Sequence, residues 1–382
     1  MSRLGLVLPA TSYRGADFVD AAADLGVDLI VATEGSLPLS PGVAAVITID
    51  CFDPRRAADT IVAAVEDAPL DAILGVDDSG VVVAAMVAEA LGLPHNPVGA
   101  VSATRDKAVM RGFLLAAAVP QPRFAVLAAD QDPHASAAEI GYPVVVKPRT
   151  LSASRGVIRV DEAAELADAV TRVESLLVEA GGSPPLLVEE YLDGEEVAVE
   201  ALATPAGVEI LAVFDKPDPL SGPYFEETIY VTPSRHPESV IDAVAEVLGR
   251  AVSALGLVHG PLHAEFRLTD EGPKVIEVAS RSIGGLCGRS LRFGMLHQSL
   301  ESLLIRAALG MPRRGMNREA AASGVMMLPI PRDGTLREVR GVSALSEVPG
   351  VTSIEITVPL GGRIRRLPEG DRYLGFLFAA AD

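Results

Sequence analysis

The sequence is short of basic side chains and of cysteine. Among 382 residues, 32 are Lys or Arg against 51 Asp or Glu, a formal charge of -19 at pH 7. Proteins grip nucleic-acid backbones through clustered cations, so nucleic acid is not an expected partner. An anionic ligand must be held by a few local cations or through a metal ion. The two cysteines, Cys51 and Cys287, stand far apart and make no metal-type spacing. That argues against a disulfide framework, and both are read as buried thiols. No apolar run approaches the ~20 residues that cross a bilayer. The apolar stretch at the N-terminus is too brief for the core of a secretory signal and reads better as a first strand. No membrane association and a cytoplasmic location are therefore expected. Also missing are the G-x-G-x-x-G fingerprint, the G-x-x-x-x-G-K-[ST] phosphate loop and the G-x-S-x-G elbow of hydrolases. His259 and His263 have the spacing of a helical zinc pair, but Gly260 and Pro261 lie between them and exclude a regular helix.

What is present is a large apolar content, 49%, with a mean hydropathy of +0.33. At roughly 100–200 residues per domain, the length suggests two or three domains. The first hundred residues alternate apolar runs (LGLVLPA, VDLIVAT, VAAVITI, DAILGVDD) with helical stretches (ADFVDAAADLG, PRRAADTIVAAVEDA, SGVVVAAMVAEALG). Strands alternating with helices give an α/β fold with a parallel sheet. From Ser102 the texture changes. One helix, TRDKAVMRGFLLAAAV, ends at Pro120 and Pro122; the strand-like pieces YPVVVKP and GVIRV follow, joined by the polar loop RTLSASR. After a helix over about 161–179 and the break GGSPP, a strand, a turn and a strand fit LLVEEYLDGEEVAVEALAT. Residues 311–324 read as a linker, and the last sixty residues as short strands and turns.

Lys147 closes an apolar strand, where a cation can reach from a rigid element toward a phosphate; it can equally be an ordinary strand-end lysine. The loop RTLSASRGV can lay backbone N–H groups and hydroxyls over phosphate oxygens, or be a plain hairpin turn. The acids of VEEYLDGEE suit a solvated edge as well as acceptance from ribose or adenine. Glu265 and Glu277 lie on two strands joined by the turn TDEGP, so they can stand about 5 Å apart. Like charges that close need a cation between them, and magnesium takes carboxylates, phosphate oxygens and water; a salt-bridged surface hairpin is the alternative. Arg281, in alternation with Glu277 if the strand persists, can hold an anion beside the metal. His263 fits either the site or the core.

The series Lys107, VVVKP, a Ser-rich loop ending in SRGV, VEEYLDGEE, HAEFRL and IEVASR resembles the ATP-grasp superfamily in order and spacing, over about residues 1–380. The C-terminal stretch is similar to the corresponding lobe of the L-amino acid ligase group. The resemblance implies an N-terminal pre-ATP-grasp βαβ domain (1–98), an ATP-grasp domain (99–310, with a mobile ATP lid at about 122–188) and a small β-rich C-terminal α+β lobe (311–382). It implies an ADP-forming ligase in which a carboxylate attacks Mg-ATP and an amine captures the acyl phosphate. Small carboxylate and amine substrates, magnesium with manganese as its substitute, and a homodimer go with it.

By position, Lys107 and Lys147 then bind ATP phosphates, while Ser152, Ser154, Arg155 and Gly156 form the loop over them. Glu189, Glu190, Tyr191 and Leu192 line the adenine pocket, and Glu196 takes the ribose hydroxyls. Glu265 and Glu277 hold magnesium, and Arg281 steadies the acyl phosphate. Glu227 matches an acid that meets a substrate amino group, with Tyr230 where many relatives have His. Gly284 and Gly285 match a substrate loop, and His263 lines the site. The family motif E-[IV]-N-P-R appears as Glu277-Val278-Ala279-Ser280-Arg281, so the Asn ligand is Ala279, with water or Ser280 as its replacement. Carboxylase or purine-pathway relatives are the rival enzymes, although a phosphorylated amine needs a basic pocket for which only Arg281, Arg289 and Arg292 stand out. A nucleotide-binding regulator without turnover is the other rival, motivated by Ala279 and the glycine-poor phosphate loop.

Overall fold

The computed structural model describes residues 1–10, 12–35, 42–128, 131–182 and 185–381. Strands β1 (Arg3–Val7), β2 (Asp28–Thr33), β3 (Val43–Thr48) and β4 (Ala72–Gly75) form a parallel sheet in the order β3-β2-β1-β4. Helices α1 (Gly15–Leu25) and α2 (Pro54–Ala64) connect β1 to β2 and β3 to β4, and α3 (Gly80–Leu91) follows β4. Gly26 ends α1 in the left-handed conformation, φ 64°, and Asp53 starts α2 by accepting from the Arg56 N–H ahead of a proline at the first helical position.

The single helix expected at residues 104–119 is two: α4 (Val98–Arg105) and α5 (Lys107–Ala116). Asp106 between them is extended, φ −123° and ψ 102°, and its carboxylate accepts from the N–H groups of Ala108 and Val109. It also receives Arg149, so the cap and a long-range ion pair together outweigh helix continuation.

A second sheet is antiparallel, ordered β5-β8-β6-β7, from β5 (Phe124–Leu127), β6 (Val144–Pro148), β7 (Ile158–Val160) and β8 (Leu186–Glu190). Helices α6 (Pro133–Ile140) and α7 (Ala163–Glu179) cover it, and Val144, Val146, Leu166, Val173 and Val188 give it a core of its own.

Eight of the remaining strands build one sheet. It contains β9 (Glu195–Thr204), β10 (Gly207–Lys216), β11 (Ile229–Thr232), β12 (Gly260–Thr269) and β13 (Gly272–Ala279). The helix α8 (Glu238–Leu255) packs on it through Val244, Leu248 and Ala251, and α9 (Leu300–Ala308) follows β13. The C-terminal strands β14 (Ser323–Leu328), β16 (Val351–Ile356) and β18 (Gly375–Ala380) extend this sheet rather than standing apart, because β14 pairs with the otherwise open edge of β11. Two short strands, β15 (Gly334–Thr335) and β17 (Arg363–Ile364), pair separately, and the described residues after 311 hold no α-helix. Gly194, at φ +127°, lets the β8–β9 turn pass Leu268, whose carbonyl oxygen lies 2.1 Å from where a Cβ would be. Among the described residues no helix is long and apolar enough to cross a membrane.

Candidate active site

A cleft of about 440 Å³ lies among the two antiparallel sheets and the loops after β1 and β4. Lys107 enters it as the first residue of α5. Its ammonium is 3.2 Å from Glu277 and donates to the Leu151 carbonyl at 2.8 Å. Lys147, buried in β6, lies 2.6 Å from Glu189. Glu189 also accepts from Arg111 at 2.8 and 3.2 Å, and Arg111 donates to the carbonyls of Val275 and Ile276. Burial opposes the ionised carboxyl of Glu189, yet Arg111 and Lys147 hold its pKa down to about 2. Burial pushes Lys147 below the usual lysine value, against the pull of Glu189. The Glu189 carboxylate, expected at an adenine, is thus committed to two cations.

Glu265 and Glu277 are direct partners across β12 and β13, with a bulge immediately after Glu265. Lys216, the last residue of β10, donates to Glu196 and Glu227 at 2.6 Å each and to Glu265 at 3.1 Å. Burial works against its charge, but the three carboxylates raise its pKa well above the lysine value. Burial likewise opposes an ionised Glu265, which Lys216 and His263 hold well below the carboxylate range. Glu227 is instead raised, burial outweighing Lys216, and it accepts the Tyr230 hydroxyl at 2.6 Å. His263 is sandwiched, Nδ1 2.6 Å from Glu200 and Nε2 3.4 Å from Glu265. Burial lowers its pKa, and the two carboxylates more than reverse this, to about 9.

The β13 strand ends at Ala279, so alternation does not carry Arg281, yet Arg281 still lines the cleft. Its guanidinium is bidentate to Asp78, at 2.9 and 3.2 Å, and Arg105 adds a third contact at 3.2 Å. Burial disfavours the ionised carboxyl of Asp78, but these arginines hold its pKa well below the usual range.

Ala279 faces the cleft, whereas Ser280 is buried and hydrogen-bonded to Thr104 at 3.0 Å. Ser280 is therefore turned away from the position of a replacement metal ligand, its hydroxyl committed to Thr104. Ser152 and Ser154 line the cleft, with Ala153 and Ser154 both at φ 55°. Arg155 and Gly156 do not line it: Arg155 points to Glu179 at 3.5 Å, and the Gly156 N–H donates to the Pro368 carbonyl at 2.9 Å. Glu190, Tyr191, Leu192, Glu196, Glu227, Tyr230, His263, Gly284 and Gly285 all line it, and Arg159 stacks 4.1 Å over the Tyr191 ring. Cys51 and Cys287 are free and buried.

Sequence reading missed Lys216, Arg111, Asp78 and Glu200. Lys216 had a signal, since it ends the apolar strand VEILAVFDK much as Lys147 lies near the end of VVVKP. Arg111 and Asp78 had none, because their partners lie 78 and 203 residues away.

Residues 19–95 match the ATP-grasp N-terminal domain, 140–290 the ATP-grasp domain and 326–382 the L-amino acid ligase C-terminal domain 2. The chain is 29% identical over 407 residues to an uncharacterised protein of Sinorhizobium fredii, covering 100% of this chain and 79% of that one. It is 27% identical over 249 residues to the alanine–anticapsin ligase of Bacillus subtilis, covering 60% of this chain and 52% of the ligase. The crystal structure of an L-amino acid ligase from Bacillus licheniformis matches with TM-score 0.82 at 26% identity, covering 100% of this chain and 93% of that one. The chain belongs to the ATP-grasp superfamily and resembles its L-amino acid ligase group.

Proposed function

We propose that the protein is an ATP-dependent carboxylate–amine ligase acting in the cytoplasm, joining an amino acid or related acid to an amine and releasing ADP and phosphate. The observation that carries this reading is the convergence on one cleft of Lys107, Lys147, the registered pair Glu265 and Glu277, and Arg281. Phosphoryl transfer is mostly positioning and charge neutralisation, and these groups supply both.

The oxygen donors of Glu265 and Glu277 fit one hard divalent ion completed by water and phosphate. Ala279 offers no oxygen for another. Magnesium there, or manganese with the same preference for oxygen, supplies neutralisation of phosphate charge. Lys107 and Lys147 bind the phosphates, with Ser152 and Ser154 over them, and Tyr191 and Leu192 flank the base. Glu196 accepts from the ribose, and Glu227 receives a substrate ammonium beside Tyr230. A substrate carboxylate oxygen attacks the terminal phosphorus, the bond to the bridging oxygen breaks, and ADP leaves. Arg281 steadies the acyl phosphate; the amine nitrogen then attacks the acyl carbon, phosphate departs, and the nitrogen gives up a proton.

A phosphorylated amine finds little here. Arg289 is paired with Asp17 and Glu355, and neither it nor Arg292 lines the cleft. The test is nucleotide release from Mg-ATP against a matrix of amino acids and amines. ADP is expected only when a carboxylate and an amine are both present, and Glu277→Gln or Arg281→Ala abolishes turnover with circular dichroism unchanged. AMP as product overturns the mechanism. ATP binding without release across the matrix marks a regulator, and unaffected turnover in both variants overturns the site assignment.

A further inference from the structure

The charged groups occupy only part of the cleft. The rest is a wall from four separate regions: Tyr13 before α1, Gly285 and Cys287 after β13, Met327 of β14, and Tyr373 and Phe376 around the start of β18. The rings of Tyr13 and Tyr373 each meet Phe376 edge-on at 5.8 Å. Gly285 sits at φ +60°, with the Phe376 ring 2.7 Å from where a Cβ would be, so the loop backbone itself abuts the ring. Cys287 Sγ lies 3.4 Å from Met327 Sδ, and burial, reinforced by Glu227, keeps the thiol protonated. None of these five side chains is charged near neutral pH. Glu227, which accepts the Tyr230 hydroxyl at 2.6 Å, lines the same cleft as this wall and is the carboxylate assigned above to a substrate ammonium.

An α-amino acid carries its ammonium and its side chain on one carbon. Anchoring the ammonium at Glu227 therefore delivers the side chain to whatever stands beside that carboxylate. We infer that the amino acid activated in this cleft has an uncharged, apolar side chain, seated against Tyr13, Cys287, Met327 and Phe376. This inference rests on the ligase reading and narrows its substrate. Asp77 and Asp371 line the cleft beside Tyr13, but a charged side chain seated against Cys287, Met327 and Phe376 is desolvated. Thioether and thiol groups adapt to different shapes, so aliphatic and aromatic side chains are both accommodated.

The test uses the full-length protein with Mg-ATP and hydroxylamine as nucleophile, which captures the activated acyl group whatever the natural amine. Hydroxamate and ADP are measured for Leu, Met and Phe against Asp, Glu and Lys. The expected kcat/KM advantage of the apolar set is about 100-fold, of the order of the about 10–200-fold that one methylene commands in an apolar pocket. Cys287→Ala, which deepens the wall, is expected to raise the ratio of Phe to alanine by about tenfold on the same basis. Equal or better activation of the charged set overturns the inference and leaves the ligase reading intact. An unmoved Phe-to-alanine ratio in Cys287→Ala overturns the wall assignment. ATP binding with no hydroxamate from any amino acid overturns the ligase reading itself, and the inference with it.

Discussion

The Lys216 ammonium lies within 3.1 Å of three carboxylates, and replacing it with methionine tests whether that arrangement is electrostatic. Lys216 is 5% exposed, and oxygens of Glu196, Glu227 and Glu265 lie within 4.8 Å of one another. Breaking a buried ion pair by removing one partner costs about 3–5 kcal/mol, since the remaining charge is left uncompensated. Once the ammonium is gone, Glu196 keeps Arg267 at 3.0 Å and Glu265 keeps His263 at 3.4 Å, while Glu227 keeps only the Tyr230 hydroxyl. Glu227, already raised by burial, is the one expected to take up a proton. A divalent cation offers the other remedy, because three carboxylate oxygens at such separations suit a hard ion. A ligand that binds only the folded state stabilises it by about 2.7 kcal/mol at one hundred times its Kd. Lys216→Met is therefore expected to unfold at lower temperature than the wild type in chelator and to recover more on addition of Mn²⁺. Differential scanning calorimetry of both proteins, with and without Mn²⁺, makes the comparison and subtracts whatever Glu265 and Glu277 bind in the wild type. A loss below about 1 kcal/mol, or a Mn²⁺ response equal to that of the wild type, refutes the reasoning against the expected 3–5 kcal/mol.

Two further outcomes follow from the same geometry. The pKa of Glu189 falls from its ordinary 4.5 to about 2 on folding, so its stabilisation is present above pH 4.5 and is lost as pH falls through 2. At 1.36 kcal/mol per pH unit this is about 3 kcal/mol. The stability gap between wild type and Glu189→Gln in urea titrations should accordingly close between pH 5 and pH 2, and a constant gap contradicts the assignment. Ala153 holds φ 55° in the loop between β6 and β7. That conformation costs a non-glycine residue about 1–2 kcal/mol, while glycine adds about 0.4–1 kcal/mol of unfolded-state entropy. Ala153→Gly is expected to stabilise by about 0.5–1 kcal/mol, and destabilisation of that size excludes strain in the loop.

The elements most legible in the sequence were those whose pattern is local. The runs LGLVLPA and, between Asp28 and Thr33, LIVA are apolar throughout because the parallel strands they form are covered on both faces, and Gly26 and Asp53 mark helix ends through their own backbone and side chain. Asp106 was not legible as a helix break, because half its reason is Arg149, far along the chain. The same holds for Arg111 and Asp78. Their importance lies in which carboxylate or arginine they meet, and only the fold brings those together. The C-terminal strands could be read as strands but not placed, since β11, which receives them, is a four-residue strand nearly a hundred residues earlier. Ser280 was misplaced as a ligand for want of one fact, the side of β13 from which it leaves.

Strands β5 and β8 both join the rest of the chain at one end of their sheet, where Phe124 pairs with Glu189 and the Arg123 N–H donates to Glu190. The loop carrying Ser152 and Ser154 hangs beyond the opposite end, past Pro148, which pairs with Leu186. From Glu190 to Leu186 the arm is about 13 Å at 3.3 Å per residue, so a swing of about 10° moves the loop by more than about 2 Å. The free end is fastened to the C-terminal segment by Arg172 on Glu369 at 2.6 Å and by Gly156 on Pro368. The C-terminal segment thus shares with Asp106 and Lys107, which hold Arg149 and Leu151, the fastening of the phosphate-side end of this sheet, so residues more than two hundred positions apart jointly fix where that loop lies.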